Sequence, residues 1–225
     1  VYLDSSNSAQ KPINVIKSLD NFYKNEFSNI GRSIYSLSVS ATNKYEETRL
    51  SIKNFINAKS KDEIIFTKNA TESINLVAST FGQKFIKKGD EILITELEHH
   101  SNYVPWHYLR IAKGAIIKFV PINDDGDIIL EKFKELITSR TKIIAVTHLS
   151  NVTGTIVPLK DVIEIAHKKN IPVLVDGCQS APHIKVDVQD LDCDFYAISC
   201  HKMYGPTGVG ILYGKKKWLE QLPPY

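Results

Sequence analysis

The sequence predicts an α/β domain with a largely parallel sheet. Short apolar runs with the character of buried strands alternate with segments of helical periodicity along the whole chain, which is typical of this class. The composition agrees, since 43% of the 225 residues are hydrophobic and 24% are charged, as in ordinary soluble globular proteins. No internal repeat or linker interrupts the pattern. We therefore predict one domain over residues 1–225, with a mainly parallel sheet flanked by helices.

The individual elements follow in order from local signals. Pro12 suits the first turn of a helix, so a helical arm over about residues 1–58 should contain helices at 12–25 and 41–57. Gly82, near the end of one helical pattern, and Pro158, at the start of another, help to bound the later helices, which we expect at 70–81, 102–113, 130–138 and 158–169. The apolar runs between them predict strands at 63–67, 91–95, 115–121, 142–147, 171–176, 195–199 and 209–213.

Charge, cysteine content and hydropathy argue against several classes of function. The formal net charge is only +3 and the basic residues are spread along the chain, so no nucleic-acid surface is predicted. No apolar run approaches the roughly 20 residues that cross a bilayer, and the N-terminus lacks a signal pattern, so we expect a cytoplasmic protein without a membrane segment. The three cysteines lack CxxC spacing, so neither a disulfide framework nor a metal site is expected.

The candidate site residues come just after the predicted strands, where open α/β sheets bind their ligands. After the first strand, the backbone of Ala70 and the hydroxyl of Thr71 begin a helix and can cradle a phosphate, although a plain helix cap is the alternative. After the second strand, His99 offers a flat ring that can stack on a cofactor, unless the segment is only a surface loop. Later, Asn151 can donate to a cofactor or substrate oxygen, or serve as a turn asparagine.

Two further clusters carry ionisable groups. Asp176 ends a strand beside a glycine, which is a ligand-site pattern and also a common structural corner. Lys202 lies in a glycine-rich turn with Ser199 and His201, where partial desolvation favours the neutral amine that imine chemistry needs; a solvated loop lysine is the alternative. A pyridoxal cofactor needs an amine, a carboxylate for its ring nitrogen, a phosphate cup and a flat group against the ring. All four follow predicted strands here, so we predict pyridoxal 5'-phosphate.

Several segments resemble, in order, the class V aminotransferase family, and within it most nearly the group II cysteine desulfurases, which also act as selenocysteine lyases. The resemblance lies in Ala-Thr-Glu-Ser-Ile-Asn-Leu-Val at 70–77, Glu-His-His-Ser-Asn at 98–102, Ser-Asn-Val-Thr-Gly at 150–154, Asp-Gly-Cys-Gln at 176–179 and the run at 199–208. It implies the large domain of a pyridoxal-phosphate-dependent transferase of fold type I, with the small C-terminal domain missing from residues 1–225.

The resemblance also implies a role for each candidate residue. Lys202 would hold the cofactor as a Schiff base, and Asp176 would pair with its ring nitrogen. The other contacts would be Gln179 to the phenolic oxygen, His99 stacked on the ring, Asn151 near the substrate amino acid, and Thr71, Ser199 and His201 on the phosphate with help from the Ala70 backbone.

The reaction that the resemblance implies is removal of sulfur from L-cysteine, or selenium from L-selenocysteine, with alanine and an enzyme persulfide as products. Lys202 and His99 would be the catalytic residues of a homodimer that passes sulfur to an acceptor protein for iron–sulfur cluster assembly. The family's nucleophilic cysteine lies beyond residue 225. The alternatives are a degenerate copy that at most binds the cofactor, and another class V enzyme, namely an aminotransferase, an epimerase or a kynureninase-like enzyme.

Overall fold

Seven strands form one mixed, mostly parallel sheet in the computed structural model, which describes residues 1–225. The strands are β1 (Ile64–Thr67), β2 (Glu91–Thr95), β3 (Ile116–Val120), β4 (Thr141–Thr147), β5 (Val173–Asp176), β6 (Phe195–Ser199) and β7 (Gly210–Gly214). Their order across the sheet is β1-β7-β6-β5-β4-β2-β3, and only β7 runs antiparallel to its neighbours. The predicted α/β fold with a mainly parallel sheet is therefore confirmed.

Eight helices connect and cover these strands. They are α1 (Ile13–Asn21), α2 (Ser36–Phe55), α3 (Ala70–Phe85), α4 (Val104–Lys113), α5 (Leu130–Leu136), α6 (Leu159–His167), α7 (Val188–Leu191) and α8 (Lys216–Leu219). A π-helical turn (Phe22–Glu26) extends α1, and 3-10 turns occupy Lys61–Glu63, His100–Asn102 and Cys200–Lys202. The sequence did not predict α7 and α8, because four residues are too few to show a helical period.

The core consists of two apolar layers, one on each face of the sheet, because successive side chains of a strand point to opposite faces. In β5, Leu174 packs in the same layer as Trp106 of α4, whereas Val173 and Val175 pack in the layer that contains Val162 of α6. All five side chains are buried, and burial of each such side chain stabilises the fold by about 1.5–3 kcal/mol. The sheet is thus covered by helices on both faces.

Gly82 lies near the end of α3 as predicted, but inside its last turn rather than beyond its last residue. A Cβ atom at Gly82 would come within 2.4 Å of the Leu109 side chain of α4, so the glycine permits close packing of the two helices. The helix then continues to Phe85, four residues beyond the predicted end. Helical periodicity located the helix, and the contact with α4 explains why a glycine stands in its last turn.

The N-terminal arm lies outside the two apolar layers for most of its length. α1 has no buried residue, and α2 has only Ser38 and Ala41. α2 begins at Ser36 rather than at 41, and the hydroxyl of Ser38 donates to the carbonyl of Asn29 in its polar first turns. Large apolar side chains are left exposed along the arm, among them Ile13, Tyr23, Phe27 and Ile34.

None of the helices combines the length and the apolar character that crossing a membrane requires. No group of three or more His, Cys, Asp or Glu side chains is arranged to hold a metal ion. The polar candidate residues instead line a cavity where β4, β5 and β6 end and α3 begins.

Candidate active site

A cavity of about 150 Å³ opens at the carboxyl ends of the parallel strands. All nine residues that the sequence singled out line it, namely Ala70, Thr71, His99, Asn151, Asp176, Gln179, Ser199, His201 and Lys202. The register explains the convergence, since Thr147 at the end of β4 pairs with Asp176 at the end of β5, and Asp176 pairs with Ala197 of β6. The structure therefore brings the candidate residues together, while their roles toward a cofactor stay predictions.

The amine and the carboxylate of this cavity are both available to a ligand. Lys202 is half-buried in the 3-10 turn after β6, and its Nζ makes no hydrogen bond or ion pair within the chain. Asp176 is buried, and its Oδ1 accepts the Cys178 N–H at 3.0 Å. Its Oδ2 accepts no N–H or hydroxyl of the protein. Because Asp176 lines the cavity, this oxygen is open to a ligand and can receive a protonated ring nitrogen.

The turn that begins with Asp176 rests on a fixed aromatic ring. A Cβ atom at Gly177 would lie 1.9 Å from the ring of Tyr196, so only glycine allows this approach. Tyr196 is fully buried, and its hydroxyl lies 2.6 Å from Ser180 Oγ and 2.9 Å from His148 Nδ1. Burial lowers the pKa of His148 to about 4, so this histidine is neutral at pH 7. The hydrogen bonds hold the ring in place against the backbone of Gly177.

The start of α3 supplies an anion-binding end to the cavity. Asn69 is the helix cap, and its side chain accepts the Glu72 N–H at 2.8 Å. The Ala70 N–H donates to Ser199 Oγ at 2.9 Å. In the first turn of α3, the N–H of Thr71 therefore remains free to donate to a ligand. The Thr71 hydroxyl, on the cavity wall, is a second donor beside it.

His99 is held as a neutral ring beside the amine and the carboxylate. Its Nδ1 accepts the Ser101 N–H at 3.1 Å, so the neutral ring carries its proton on Nε2. Burial lowers the pKa of His99, and the charges of Lys202 and His100 lower it further, whereas that of Asp176 raises it. A neutral imidazole that is exposed on the cavity wall suits a stacking position against a flat cofactor.

The N-terminal stretch closes one side of the cavity. The Ala9 N–H and the Lys11 Nζ each donate to the carbonyl of His201 at 3.0 Å. The Gln179 Nε2 donates one N–H to the carbonyl of Ser6 at 2.7 Å, which leaves its second N–H for a ligand oxygen. Asn7 is consequently part of the lining, although no local pattern marked it.

A half-buried acid that was not among the predicted site residues lies next to this site. The Glu98 carboxylate accepts the Thr147 N–H at 2.9 Å, the Asn102 Nδ2 at 2.6 Å and the Thr95 hydroxyl at 2.5 Å. Burial raises the pKa of Glu98 to about 8 despite these donors, and the charge of Asp176 adds to the effect. Glu98 is therefore mostly neutral at pH 7, and it ties the end of β2 to the end of β4.

The remaining lining residues that the analysis missed are Asn7, Ser101, Thr147, Leu149 and Cys178. Ser101 and Cys178 lie within two residues of His99 and Asp176 in the motifs at 98–102 and 176–179, and this closeness could have marked them as lining residues. Burial raises the pKa of all three thiols, which are those of Cys178, Cys193 and Cys200. The thiols are therefore protonated at neutral pH and are poor nucleophiles.

The donors and acceptors of the cavity fit pyridoxal phosphate. A free amine at Lys202 and an available carboxylate oxygen at Asp176 face the same space as the anion-binding start of α3. The neutral ring of His99 and the spare N–H of Gln179 complete the set. The arrangement can bind an aldehyde, a cationic ring nitrogen and a phosphate within one pocket.

Comparisons with known proteins agree with this geometry. The family model described as Aminotransferase class-V matches residues 1–225. A probable cysteine desulfurase of Halalkalibacterium halodurans is 51% identical over 224 residues, which are 100% of this chain and 55% of that protein. The crystal structure of the cysteine desulfurase CsdA from Escherichia coli has a TM-score of 0.92 at 41% identity and covers 100% of this chain and 56% of its own. A structure described as SspA in complex with cysteine has a TM-score of 0.92 at 27% identity and covers 99% and 63%. The chain spans about half the length of the curated relatives it matches.

Proposed function

Because this chain belongs to the class V aminotransferase family, we propose that it is the cofactor-binding part of a cysteine desulfurase. One observation carries the proposal: Lys202 and Asp176 line the same cavity, one with a free amine and the other with an available carboxylate oxygen. The cofactor is pyridoxal 5'-phosphate, and the substrate is L-cysteine or L-selenocysteine. The solved neighbour described as SspA in complex with cysteine supports a substrate of this class.

Pyridoxal phosphate, when bound, supplies an aldehyde that bonds to an amine and a ring that draws electrons from the α-carbon of an amino acid. Lys202 Nζ would hold the aldehyde and, when free, would accept the α-proton of the substrate. The carboxylate of Asp176 keeps the ring nitrogen protonated. His99 stacks on the ring, and Gln179 donates its spare N–H to the phenolic oxygen.

The remaining residues orient the cofactor and the substrate. Thr71 binds the phosphate through its N–H and its hydroxyl, with Ser199 and His201 alongside. The Ala70 N–H acts indirectly, because it already donates to Ser199 Oγ and thereby fixes the position of that hydroxyl. Asn151, exposed at the cavity edge, is available to the substrate amino acid.

The thiolate that takes up the substrate sulfur comes from outside residues 1–225. Burial raises the pKa of each of the three thiols of this chain, so none has the thiolate character of a nucleophile. The complete enzyme is a cytoplasmic homodimer that forms a persulfide and hands its sulfur to an acceptor protein for iron–sulfur cluster assembly. Large apolar side chains are exposed along the N-terminal arm, and exposed apolar patches mark contacts between proteins or domains. This exposure supports the proposal that further protein contacts the arm in the complete enzyme.

Covalent trapping of pyridoxal phosphate tests the proposal. The chain mixed with the cofactor should show a visible absorption band, and borohydride should fix the label on Lys202, as read by peptide mass spectrometry. Lys202→Ala should abolish the label, whereas Lys185→Ala, which changes an exposed lysine, should not. Equal labelling of Lys202→Ala, or labelling of another lysine, would reject the assignment.

A second measurement separates the proposed activity from mere cofactor binding. With pyridoxal phosphate present, the chain should exchange the α-proton of L-cysteine in heavy water, followed by NMR, but should release negligible sulfide. Cofactor attachment without exchange would indicate a copy that only binds pyridoxal phosphate. Sulfide release at a rate typical of enzymes would contradict the statement that the sulfur nucleophile lies outside this chain.

A further inference from the structure

Three polar side chains form a continuous hydrogen-bonded row along one wall of the cavity. Thr71 Oγ1 lies 2.8 Å from Ser101 Oγ, and Ser101 Oγ lies 3.0 Å from His99 Nδ1. All three residues line the cavity. One end of the row is at the start of α3, where an anion would bind, and the other end is an imidazole ring. Ser101 is the only link between them in this row.

The backbone determines how the protons are arranged when His99 is neutral. The Ser101 N–H donates to His99 Nδ1, so that nitrogen is an acceptor. The Ser101 hydroxyl then has two acceptors within reach, His99 Nδ1 at 3.0 Å and Thr71 Oγ1 at 2.8 Å, and it can donate to only one of them at a time. When it donates to Thr71 Oγ1, the Thr71 hydroxyl is able to donate to a bound anion. When it donates to His99 Nδ1, the row is directed away from the anion.

Protonation of His99 changes one end of the row without breaking it. Nδ1 then carries a hydrogen and loses the bond from the Ser101 N–H, but it can donate to Ser101 Oγ, which lies 3.0 Å away. Every donor from His99 through Ser101 to Thr71 then points toward the anion. An imidazolium at one end and an anion at the other stabilise the same arrangement.

We propose that Ser101 is a positioning residue that couples the binding of an anion at Thr71 to the protonation of His99. The identification of that anion as the cofactor's phosphate rests on the proposed function, but the coupling itself needs only a doubly charged anion. Such coupling is reciprocal, so the anion favours protonated His99 to the same degree that protonated His99 favours the anion.

Other ionisable groups also act on the protonation of His99, and they must be the same in the variants that are compared. Asp176 at the end of β5, Lys202 in the turn after β6 and the neighbouring His100 are the ionisable groups that act on its ring. All three remain when the Ser101 hydroxyl is removed. Ser101→Ala also keeps the backbone N–H, and therefore the tautomer of neutral His99, so the variant removes only the link.

The test uses the cofactor-free chain and inorganic sulfate, which keeps two charges across the pH range. The titration of His99 is followed by NMR of imidazole nitrogens, with His99→Gln for assignment. In the unmodified chain sulfate should bind roughly three- to tenfold more tightly below the His99 midpoint than above it, since one hydrogen bond is at stake. Sulfate should raise that midpoint correspondingly.

Ser101→Ala should lose most of both effects, and Ser101→Thr, which keeps a hydroxyl, should retain them. Ser51→Ala on α2, where the hydroxyl bonds only the Glu47 carbonyl, should behave like the unmodified chain. Equal coupling in Ser101→Ala and the unmodified chain would overturn the inference, as would absence of any effect of sulfate on His99. Failure of pyridoxal phosphate to attach to Lys202 would reject the proposed function but not the coupling. Sulfate has no aldehyde, so its effect on His99 does not depend on Lys202 attachment.

Discussion

Glu98→Gln should flatten the pH dependence of stability of this chain. The carboxyl group lies among three donors beside the cofactor site, and its pKa is raised from an ordinary 4.5 to about 8. Because the folded-state pKa exceeds the unfolded value, the chain takes up a proton on folding between these two pH values. The stability that comes from neutral Glu98 is complete below pH 4.5 and is lost as the pH rises through about 8.

The size of the effect follows from the separation of the two pKa values. One pKa unit corresponds to about 1.4 kcal/mol, so ionisation of Glu98 should lower the free energy of unfolding by about 3–5 kcal/mol between pH 5 and pH 9. Glutamine is uncharged throughout and keeps a carbonyl oxygen for the Thr147 N–H. Its amide nitrogen meets the donating Asn102 Nδ2 group, which adds a cost that does not depend on pH. Relative to the unmodified chain, the variant should therefore gain about 3 kcal/mol or more between pH 5 and pH 9.

Urea unfolding at pH 5, 7 and 9 measures this difference. Glu96→Gln is the matched control, because Glu96 is exposed two residues away and its replacement should leave the profile unchanged. If Glu98→Gln shows the same fall between pH 5 and pH 9 as the unmodified chain, then Glu98 does not ionise in this range and the burial argument is refuted.

Two other replacements test how the scaffold is held. Asp194→Ala should lower the free energy of unfolding at pH 7 by about 3–5 kcal/mol, since this buried carboxylate accepts hydrogen bonds from His167 and Trp218 at 2.7 Å each. Burial alone would raise the pKa of Asp194, but these donors and nearby lysines hold it at about 2. The loss of stability in the variant should therefore shrink on acidification to pH 2. A cost under 1 kcal/mol at pH 7 would show that these hydrogen bonds do not stabilise the fold. Gly177→Ala should cost about 2 kcal/mol or more, because its Cβ would meet the fixed ring of Tyr196, and an unchanged urea midpoint would show that the ring can move.

The fold was largely predictable because apolar periodicity reports which residues are buried. It placed all seven strands to within a few residues, and the continuous apolar run that ends in β5 indicates a strand buried on both faces. The direction of β7 was not predictable, since a strand has the same period whichever way it runs. The close packing of Gly82 against Leu109 was not predictable, because the two residues are far apart in the sequence.

The site was predictable to the extent that its residues follow strands that lie side by side. Lys202 and Asp176 qualified by this rule, and both line the cavity. Asn7 reaches the cavity only because the N-terminal stretch bonds to the carbonyl of His201, and local sequence does not encode that contact. Glu98 begins the segment at 98–102 but was not predicted as a site residue, because the sequence does not show that donors at the ends of β2 and β4 surround its carboxyl group.

A crystal structure of this chain grown with pyridoxal phosphate tests the central claim most directly. The account predicts continuous electron density between Lys202 Nζ and the cofactor, with the ring nitrogen about 3 Å from the carboxylate of Asp176 and the phosphate at the start of α3. A cofactor bound elsewhere, or a ring nitrogen directed away from Asp176, would contradict it.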